Sequence, residues 1–456
     1  MSVTALETKR ATRGPYRGYD LRDVPEPNWD LALTGPKSKM GEYMRRFWQP
    51  VCLSSQLGDL PHLVRILGED LVAFRDRTGR VGVLHRHCCH RGTSLEYGRI
   101  ESKGIRCCYH GWLFDVDGSV LETPGEPSSS RLKDNVFQGA YPALEYHGIV
   151  HAYMGPPEMK PPFPEFDLFK IPGLRYHPSV VTHDNNWLQT FENNMDPFHG
   201  QFLHTRNTPH FGDHYRVLPT VDFQLTKDGA GIFYSALRRV DDGKLWIRLF
   251  HCMFPNYVFV GSLFELKQDE PYFQRAFYAR RVVPVDDEHC TFFSWRFAAE
   301  QGEFQGGDPS RNGWNTMDID GQAEQPNYEL KQREPGDWEA QGGQRAVAIH
   351  KLEHLGTTDA GVALLRRGLN NILGGKVPAA VPPTEISGTP QASKNVYSSN
   401  IVLNIRKRPD PADEQANIRS ASKAIVDLVV RGDEQPDDAR RAWIITGLQE
   451  IERTYA

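Results

Sequence analysis

The sequence predicts an α+β chain: a small all-β domain followed by a larger unit in which an antiparallel sheet is packed by helices. Three observations carry this reading. Short β-rich runs separated by turn signals crowd between Val64 and Phe114. A longer series of β-rich runs extends from Val217 to Phe297. Helical patterns open the stretch from Trp187 to Phe202, fill most of 345–373 and occur twice in the tail from Asp413. At 456 residues the chain is long enough for two domains with substantial cores.

Taken in order, residues 1–44 read as a polar, Pro/Gly-rich arm ending in a helix from Met40 to Trp48, with Pro50 beyond it. Residues 45–158 form the first domain. Its strands are expected at Val64–Leu67, Leu71–Phe74 and Val81–Leu84, with a turn at Asp76–Gly79 and a hairpin at Trp112–Phe114 with Asp117–Gly118. Pro156–Pro164 is its exit linker, and residues 159–456 make the second domain with a C-terminal helical extension. There, β-rich runs at Ile232–Tyr234, Leu245–Phe250, Val258–Leu266, Phe273–Val283 and Thr291–Phe297 suit a sheet with one buried face. Gln301–Gly343 and Ala379–Lys394 read as long polar loops, and 345–373 as helix apart from a break at Gly356–Thr358.

A net charge of −5 gives no basic footprint for nucleic acid, and no apolar run is long enough to span a membrane. Met1–Gly14 lacks an apolar core of the secretory kind, so a cytoplasmic protein is expected. Four of the seven cysteines lie in two short turns, while Cys52, Cys252 and Cys290 are scattered singly. That is metal usage rather than a disulfide framework.

The two turns are Cys88-Cys89-His90-Arg91-Gly92 and Cys107-Cys108-Tyr109-His110-Gly111-Trp112. Each mixes a thiolate with an imidazole, Cys-x-His in the first and Cys-x-x-His in the second. Two Cys on one iron and two His on the other is the donor set of a [2Fe-2S] cluster whose potential the neutral imidazoles raise. A Cys2His2 zinc site uses the same atoms, although zinc sites usually pair like with like. A disulfide between the spare thiols Cys89 and Cys108 is a third reading, opposed by a reducing compartment.

These turns resemble the Rieske signature of ring-hydroxylating oxygenases. The resemblance implies that Cys88, His90, Cys107 and His110 hold the cluster, and that the second domain is a helix-grip, START-like catalytic fold. About ninety residues on, Glu192-Asn193-Asn194-Met195-Asp196-Pro197-Phe198-His199-Gly200-Gln201-Phe202-Leu203-His204 resembles the same family's E-N-x-x-D-x-x-H-x-x-x-x-H element. By residue chemistry alone, His199 and His204 are five apart, and a straight helix would splay them. Pro197 and Gly200 supply a bend. The resemblance implies that both bind a mononuclear non-haem Fe(II), which takes two His and one carboxylate on one face. It implies that Asp196 carries electrons by accepting the N–H of a ligated imidazole.

For the third ligand, Glu192 lies two helical turns before His199. The resemblance favours Asp359 instead, within Glu353-His354-Leu355-Gly356-Thr357-Thr358-Asp359-Ala360-Gly361, which is similar to the E-H-L-G-x-x-D-x-G element of the phthalate-dioxygenase-like branch. The bland role for Asp359 is to cap the helix that follows it. Arg206 and Arg248 are candidates for gripping a substrate carboxylate. His183, His210, His214 and His251 read as ordinary core or surface histidines.

The resemblance implies an oxygenase that receives NAD(P)H electrons through a reductase or ferredoxin, since no dinucleotide fingerprint is evident. It further implies a homotrimer, or a dimer of trimers, in which one subunit's cluster serves the next subunit's iron. O-demethylation of a methoxylated, lignin-derived aromatic acid is the expected reaction, with dihydroxylation of a phthalate-type acid as competitor. An electron-transfer iron–sulfur protein without oxygenase activity is the reading from another class.

Overall fold

Trp48–Leu53 is buried along its whole length and pairs antiparallel with Ile149–Tyr153, which pairs in turn with Ala143–Tyr146. This three-stranded sheet closes one side of the first domain. The computed structural model describes residues 22–207, 213–261, 272–300, 326–376 and 395–456, together with Gly18 and Phe304. Two four-stranded sheets complete the domain: His62–Ile66, Glu69–Arg75, Val81–His85 and Ala140–Tyr141 in one; Arg99–Ile100, Ile105–Arg106, Leu113–Phe114 and Val120–Glu122 in the other. The helix expected from Met40 to Trp48 runs only over Lys39–Arg45, because Trp48 already belongs to the first strand. Ser38 caps it by accepting from the Gly41 N–H.

The second domain is built on a nine-stranded antiparallel sheet. Its main path runs Arg175–His183, Cys290–Ala298, Tyr278–Pro284, Tyr257–Val260, Leu245–Met253, Gly231–Arg239 and Thr220–Leu225. Ser399–Leu403 pairs with both Leu245–Met253 and Phe273–Arg275, so the chain returns to the sheet after about a hundred residues. Period-2 alternation divides this sheet into two faces. Phe233, Leu237, Leu245, Ile247 and Leu249 face outwards and pack with Ile418, Ile425, Val429, Ile444 and Leu448 of the helices Pro411–Arg431 and Asp437–Tyr455. Ile232, Tyr234, Ala236, Phe250 and Cys252 face inwards, into a core shared with Trp187, Phe191 and Leu365.

That core is continuous with Val51, Leu71, Ala73 and Val150 of the first domain. A buried Arg281 fastens the joint. It donates to the Trp48 carbonyl (2.9 Å), to Gln49 Oε1 (3.0 Å) and to Asn256 Oδ1 (2.8 Å), and lies 3.7 Å from the centroid of the Tyr257 ring.

The polar stretch expected to be loop before residue 344 contains two helices among its described residues, Tyr328–Arg333 and Asp337–Gly342. The following stretch, expected to be helical, is irregular from Arg345 to Gly356 except for single 3-10 turns. The cause is Gln189, whose side chain takes the place of helical partners: it donates to the carbonyls of Gln341 and Arg345 and accepts from the Ala348 N–H. The helix proper is Ala360–Leu373. The expected strand Val258–Leu266 is seen as Tyr257–Val260, and its remainder after 261 lies outside the described residues, as does the whole loop Ala379–Lys394.

His151 sits at the domain joint, fully buried. It is 5.7 Å from the Trp295 ring in a parallel stack, with Nδ1 3.1 Å from the Ile149 carbonyl. Burial, with Arg281 nearby, pulls its pKa down to about 3. The unfolded chain binds this proton more readily, so the contribution is whole above about pH 6.5 and is lost progressively as pH falls towards the folded value. Denaturant unfolding followed between pH 4 and 7 should therefore show stability falling with acid, and His151→Phe should flatten that slope.

Candidate metal centres

The two Cys/His turns are built alike. In the first, Cys88 N–H donates to the Thr93 carbonyl and Gly92 N–H returns to the Cys88 carbonyl. In the second, Cys107 N–H donates to the Trp112 carbonyl and Gly111 N–H returns to Cys107. Gly92 and Gly111 both take positive φ, 76° and 73°, which closes each turn without steric cost. Cys88 and Cys107 are buried, whereas Cys89 and Cys108 are exposed; all are free thiols. Burial pushes the Cys88 thiol up to about 12, with Cys107 beside it adding to the effect, so its thiolate form needs a bound cation to offset the cost. The rings of His90 and His110 lie 4.5 Å apart on the outer side, and Trp112 stacks on His90 at 4.5 Å with 3° between planes. Two buried sulfurs below and two imidazoles above is the donor arrangement of a Rieske [2Fe-2S] cluster. The buried Gln138 amide steadies the first turn, accepting from Cys89 N–H (2.7 Å) and donating to the carbonyls of His85 and His87.

The second centre starts from a broken helix. Asn186 caps Trp187–Glu192 by accepting from the Leu188 N–H; a 3-10 turn, Asn193–Met195, follows. Asp196 then turns the chain with its side chain, accepting from the N–H groups of Phe198 and His199. His199–Phe202 and His204–Asn207 are separate helical turns divided at Leu203, and this break lets two histidines five apart converge. Gly200 serves another purpose than bending: a Cβ there would lie 2.7 Å from the Tyr215 ring.

His199 Nε2 and His204 Nε2 stand 3.2 Å apart. Asp337, at the start of Asp337–Gly342, completes the group, with Oδ1 3.6 Å from His199 Nε2 and Oδ2 3.5 Å from His204 Nε2. Three donors at such separations fit adjacent corners of one octahedron, whose edge is about 3 Å for bonds of about 2.1 Å. His199 Nδ1 faces the Asp196 carbonyl and lies 3.6 Å from its carboxylate, which leaves Nε2 to the metal. Asn193 Nδ2 donates to Asp337 Oδ1 at 3.3 Å and orients that carboxylate. Burial alone would push Asp337 up; His204, His199, Arg280 and His183 outweigh it and hold it below the usual carboxylate range. His183, tilted against Trp338 with ring centroids 4.4 Å apart, is pulled down to about 4 by burial and stays neutral.

Asp359 does not join the histidines. Its Oδ2 turns back to the Gly356 N–H at 2.7 Å, closing the turn ahead of the helix Ala360–Leu373. Glu192 is also spoken for: Arg366 holds both its oxygens, at 2.6 and 2.7 Å, and reaches Glu353 as well. The three lie together in the wall of a cavity of about 400 Å³ that is also lined by Asp196 and Asp359. Arg248 is buried on the inner face of the sheet. The side chains of Arg206 and His214, and all of His210, lie outside the described residues. His251 is core, stacked on Tyr397 at 4.7 Å. Asp337, the one donor that sequence reasoning missed, had a single local signal: a carboxylate opening a helix after Pro335-Gly336, inside a stretch taken for loop.

The fold and the two centres define a Rieske-type oxygenase subunit, with a [2Fe-2S] domain attached to a mononuclear-iron domain. The Rieske [2Fe-2S] domain family matches residues 47–139. Along 454 residues the chain is 42% identical to the tert-butanol monooxygenase / tert-amyl alcohol desaturase oxygenase subunit of Aquincola tertiaricarbonis, covering 96% of each. It is 40% identical over 376 residues to the phenoxybenzoate dioxygenase subunit alpha of Ectopseudomonas oleovorans, covering 77% of this chain and 86% of that one. In fold it resembles NdmB of Pseudomonas putida CBB5, with a TM-score of 0.57 and 19% identity, over 77% of this chain and 98% of that structure. The chain belongs to the Rieske non-haem iron oxygenases. It carries the [2Fe-2S] cluster and a mononuclear iron, and its electrons come from a reductase partner. Among the described residues no helix is long and apolar enough to cross a membrane.

Asp337→Ala should lower the iron content from about three to about two per chain while the Rieske EPR signal persists, whereas Asp359→Ala should retain all three. Iron analysis with EPR on both variants decides between the two carboxylates; loss of iron in the Asp359 variant alone would reverse the assignment.

Proposed function

We propose that this oxygenase subunit oxidises an aromatic acid, and that the reaction is O-demethylation of a methoxylated, lignin-derived one. The observation that carries the oxygenase chemistry is the convergence of His199, His204 and Asp337 on one ion position in a chain that also holds Rieske loops. Cys88, His90, Cys107 and His110 would hold the cluster and His199, His204 and Asp337 the iron, which when bound would supply single-electron transfer and dioxygen activation. The chemistry of one relative's name supports the substrate class. Phenoxybenzoate is an aryl ether bearing a carboxylate, and a methoxylated aromatic acid carries the same two groups. Hydroxylation of the methyl carbon gives a hemiacetal that releases formaldehyde and leaves a phenol. One oxygen atom enters the substrate, the other leaves as water, and NAD(P)H supplies two electrons through the reductase.

Within the chain, the described ring contacts of His90 and His110 are with each other, Tyr109 and Trp112. Asp196 lines the cavity beside Glu353 and Asp359. In the proposed homotrimer, or dimer of trimers, Asp196 bridges by a hydrogen bond to a Rieske histidine of a second copy and so provides the route by which the electron passes. Asp196→Ala should keep both centres loaded while turnover falls at least about 100-fold, with the reduced cluster failing to reoxidise in rapid mixing with dioxygen. Unchanged NADH-coupled oxygen uptake would remove Asp196 from the path.

A second reading, monooxygenation of a small tertiary alcohol, is favoured by the match that spans 96% of the chain. Dihydroxylation of a phthalate-type acid is the third product class. Oxygen uptake with a matched reductase, on methoxybenzoates, phthalate and tert-butanol, separates them by product: formaldehyde, cis-diol or hydroxylated alcohol. Formaldehyde in step with oxygen is the expected result.

A further inference from the structure

Strand alternation places a set of polar side chains on the inner face of the large sheet. Tyr234, Arg238, Trp246, Arg248 and Phe250 are all even-numbered, while their odd-numbered neighbours pack against the C-terminal helices. Register sets Arg248 directly opposite Ala236 on one side and Asn400 on the other, and Arg238 opposite Trp246. Arg248 is 8% exposed and Arg238 3%.

Neither guanidinium has a carboxylate partner among the described residues. Arg248 Nη2 donates to the Gly261 carbonyl at 2.9 Å, Nη1 lies 3.5 Å from Tyr215 Oη, and Nε is buried without a partner. Arg238 Nε donates to the Val217 carbonyl at 3.0 Å, and its guanidinium lies over the rings of Tyr215 (4.7 Å) and Trp246 (5.2 Å). Buried Arg440 has Asp167, and half-buried Arg366 and Arg239 have Glu192 with Glu353 and Glu414. Arg281, fully buried, also lacks a carboxylate, but each of its three guanidinium nitrogens donates to a protein oxygen. Desolvating a cation costs several kcal/mol when no anion offsets it, and ring faces recover only part of that.

Tyr215 links these arginines to the metal. A Cβ on Gly200 would lie 2.8 Å from Tyr215 Oη, and Gly200 follows the iron ligand His199. The next residue, Gln201, is buried with neither amide atom partnered. We propose that Arg248 and Arg238 form the binding site for the carboxylate of an organic acid substrate, Arg248 gripping it and Arg238 supplying a second positive charge. This deepens the aromatic-acid reading above and rests on it. A planar carboxylate would accept from the unpartnered Nε and an Nη of Arg248 together, a fork that a neutral alcohol or amide cannot match. Ala236 leaves the face opposite Arg248 short of side-chain bulk.

The test is calorimetric titration of the oxidised holoenzyme with benzoate and with its neutral isostere benzamide, without turnover. Benzoate should bind at least about tenfold more tightly. Arg248→Gln and Arg238→Gln should each weaken benzoate by about 10- to 100-fold and leave benzamide unchanged. Rieske EPR and iron content report whether each variant is intact. Should Arg248→Gln fail to load its metals, Arg248→Lys decides: it keeps the charge and loses the fork, so the benzoate preference should shrink several-fold. Equal binding of the two probes by the native chain, or an unaltered preference in the Arg248 variants, overturns the proposal. If tert-butanol alone drives oxygen uptake while benzoate still binds selectively, the aromatic-acid reaction fails and the anion site stands.

Discussion

Arg366 reaches from the helix Ala360–Leu373 to two carboxylates, Glu192 and Glu353, and the geometry of the iron site follows from where it holds them. Glu192 ends the helix that precedes the metal-binding turns. Pinning it fixes the start of Asn193–Met195, and so the positions of Asp196 and His199 beyond it. The next residue, Asn193, carries the constraint across to the third donor through its bond to Asp337. The helix can come this near only because Gly361 lacks a side chain, since a Cβ there would collide with the Met195 carbonyl and the Phe223 ring. A guanidinium between two largely buried carboxylates leaves a net negative charge. Removing the cation would strand both, at a cost of about 3–5 kcal/mol for such clusters.

This explains why the sequence was informative about one donor pair and misleading about the third donor. The Glu353-to-Gly361 element resembles a family motif, and four of its marked residues, Glu353, Gly356, Asp359 and Gly361, have a structural duty here. Glu353 meets Arg366, Asp359 closes a turn on Gly356, and Gly361 permits close packing. In the structure the element docks the helix, and Asp359 turns away from the histidines. Asp337 was not legible because a lone carboxylate at a helix start is indistinguishable from a cap until the histidines it meets are placed. The two Cys/His turns and the His199/His204 pair were legible for the opposite reason: each packs several donors into one short segment, where spacing alone constrains geometry.

The fold shows the same division. Strands with clear turns, such as His62–Ile66, Glu69–Arg75 and Val81–His85, lie within a residue or two of where local pattern places them. Segments governed by distant partners do not. Arg345–Leu352 has helical composition, yet the Gln189 side chain captures its backbone groups. Ser399–Leu403 is a five-residue strand whose place beside Leu245–Met253 is settled by the hydrophobic outer face it completes, which no local window contains.

The buried and half-buried arginines of this chain show three ways of keeping a cation out of water. Arg366 uses carboxylates, and its charge is more than neutralised. Arg281 uses a carbonyl, two amide oxygens and a ring, all fixed neutral dipoles, and joins two domains by doing so; burial still pulls its pKa down to about 10. Both arrangements fill the donors that a rigid joint needs. Among the described residues Arg238 and Arg248 have the same kinds of neutral partner but fewer of them, and the charge of Arg248 adds to the cost of burying Arg238. A structural role would be served as well by one arginine or by a neutral side chain of similar length. Two under-compensated cations, one tyrosine away from the metal-binding turns, make sense as half of an interaction whose anionic half arrives with the substrate.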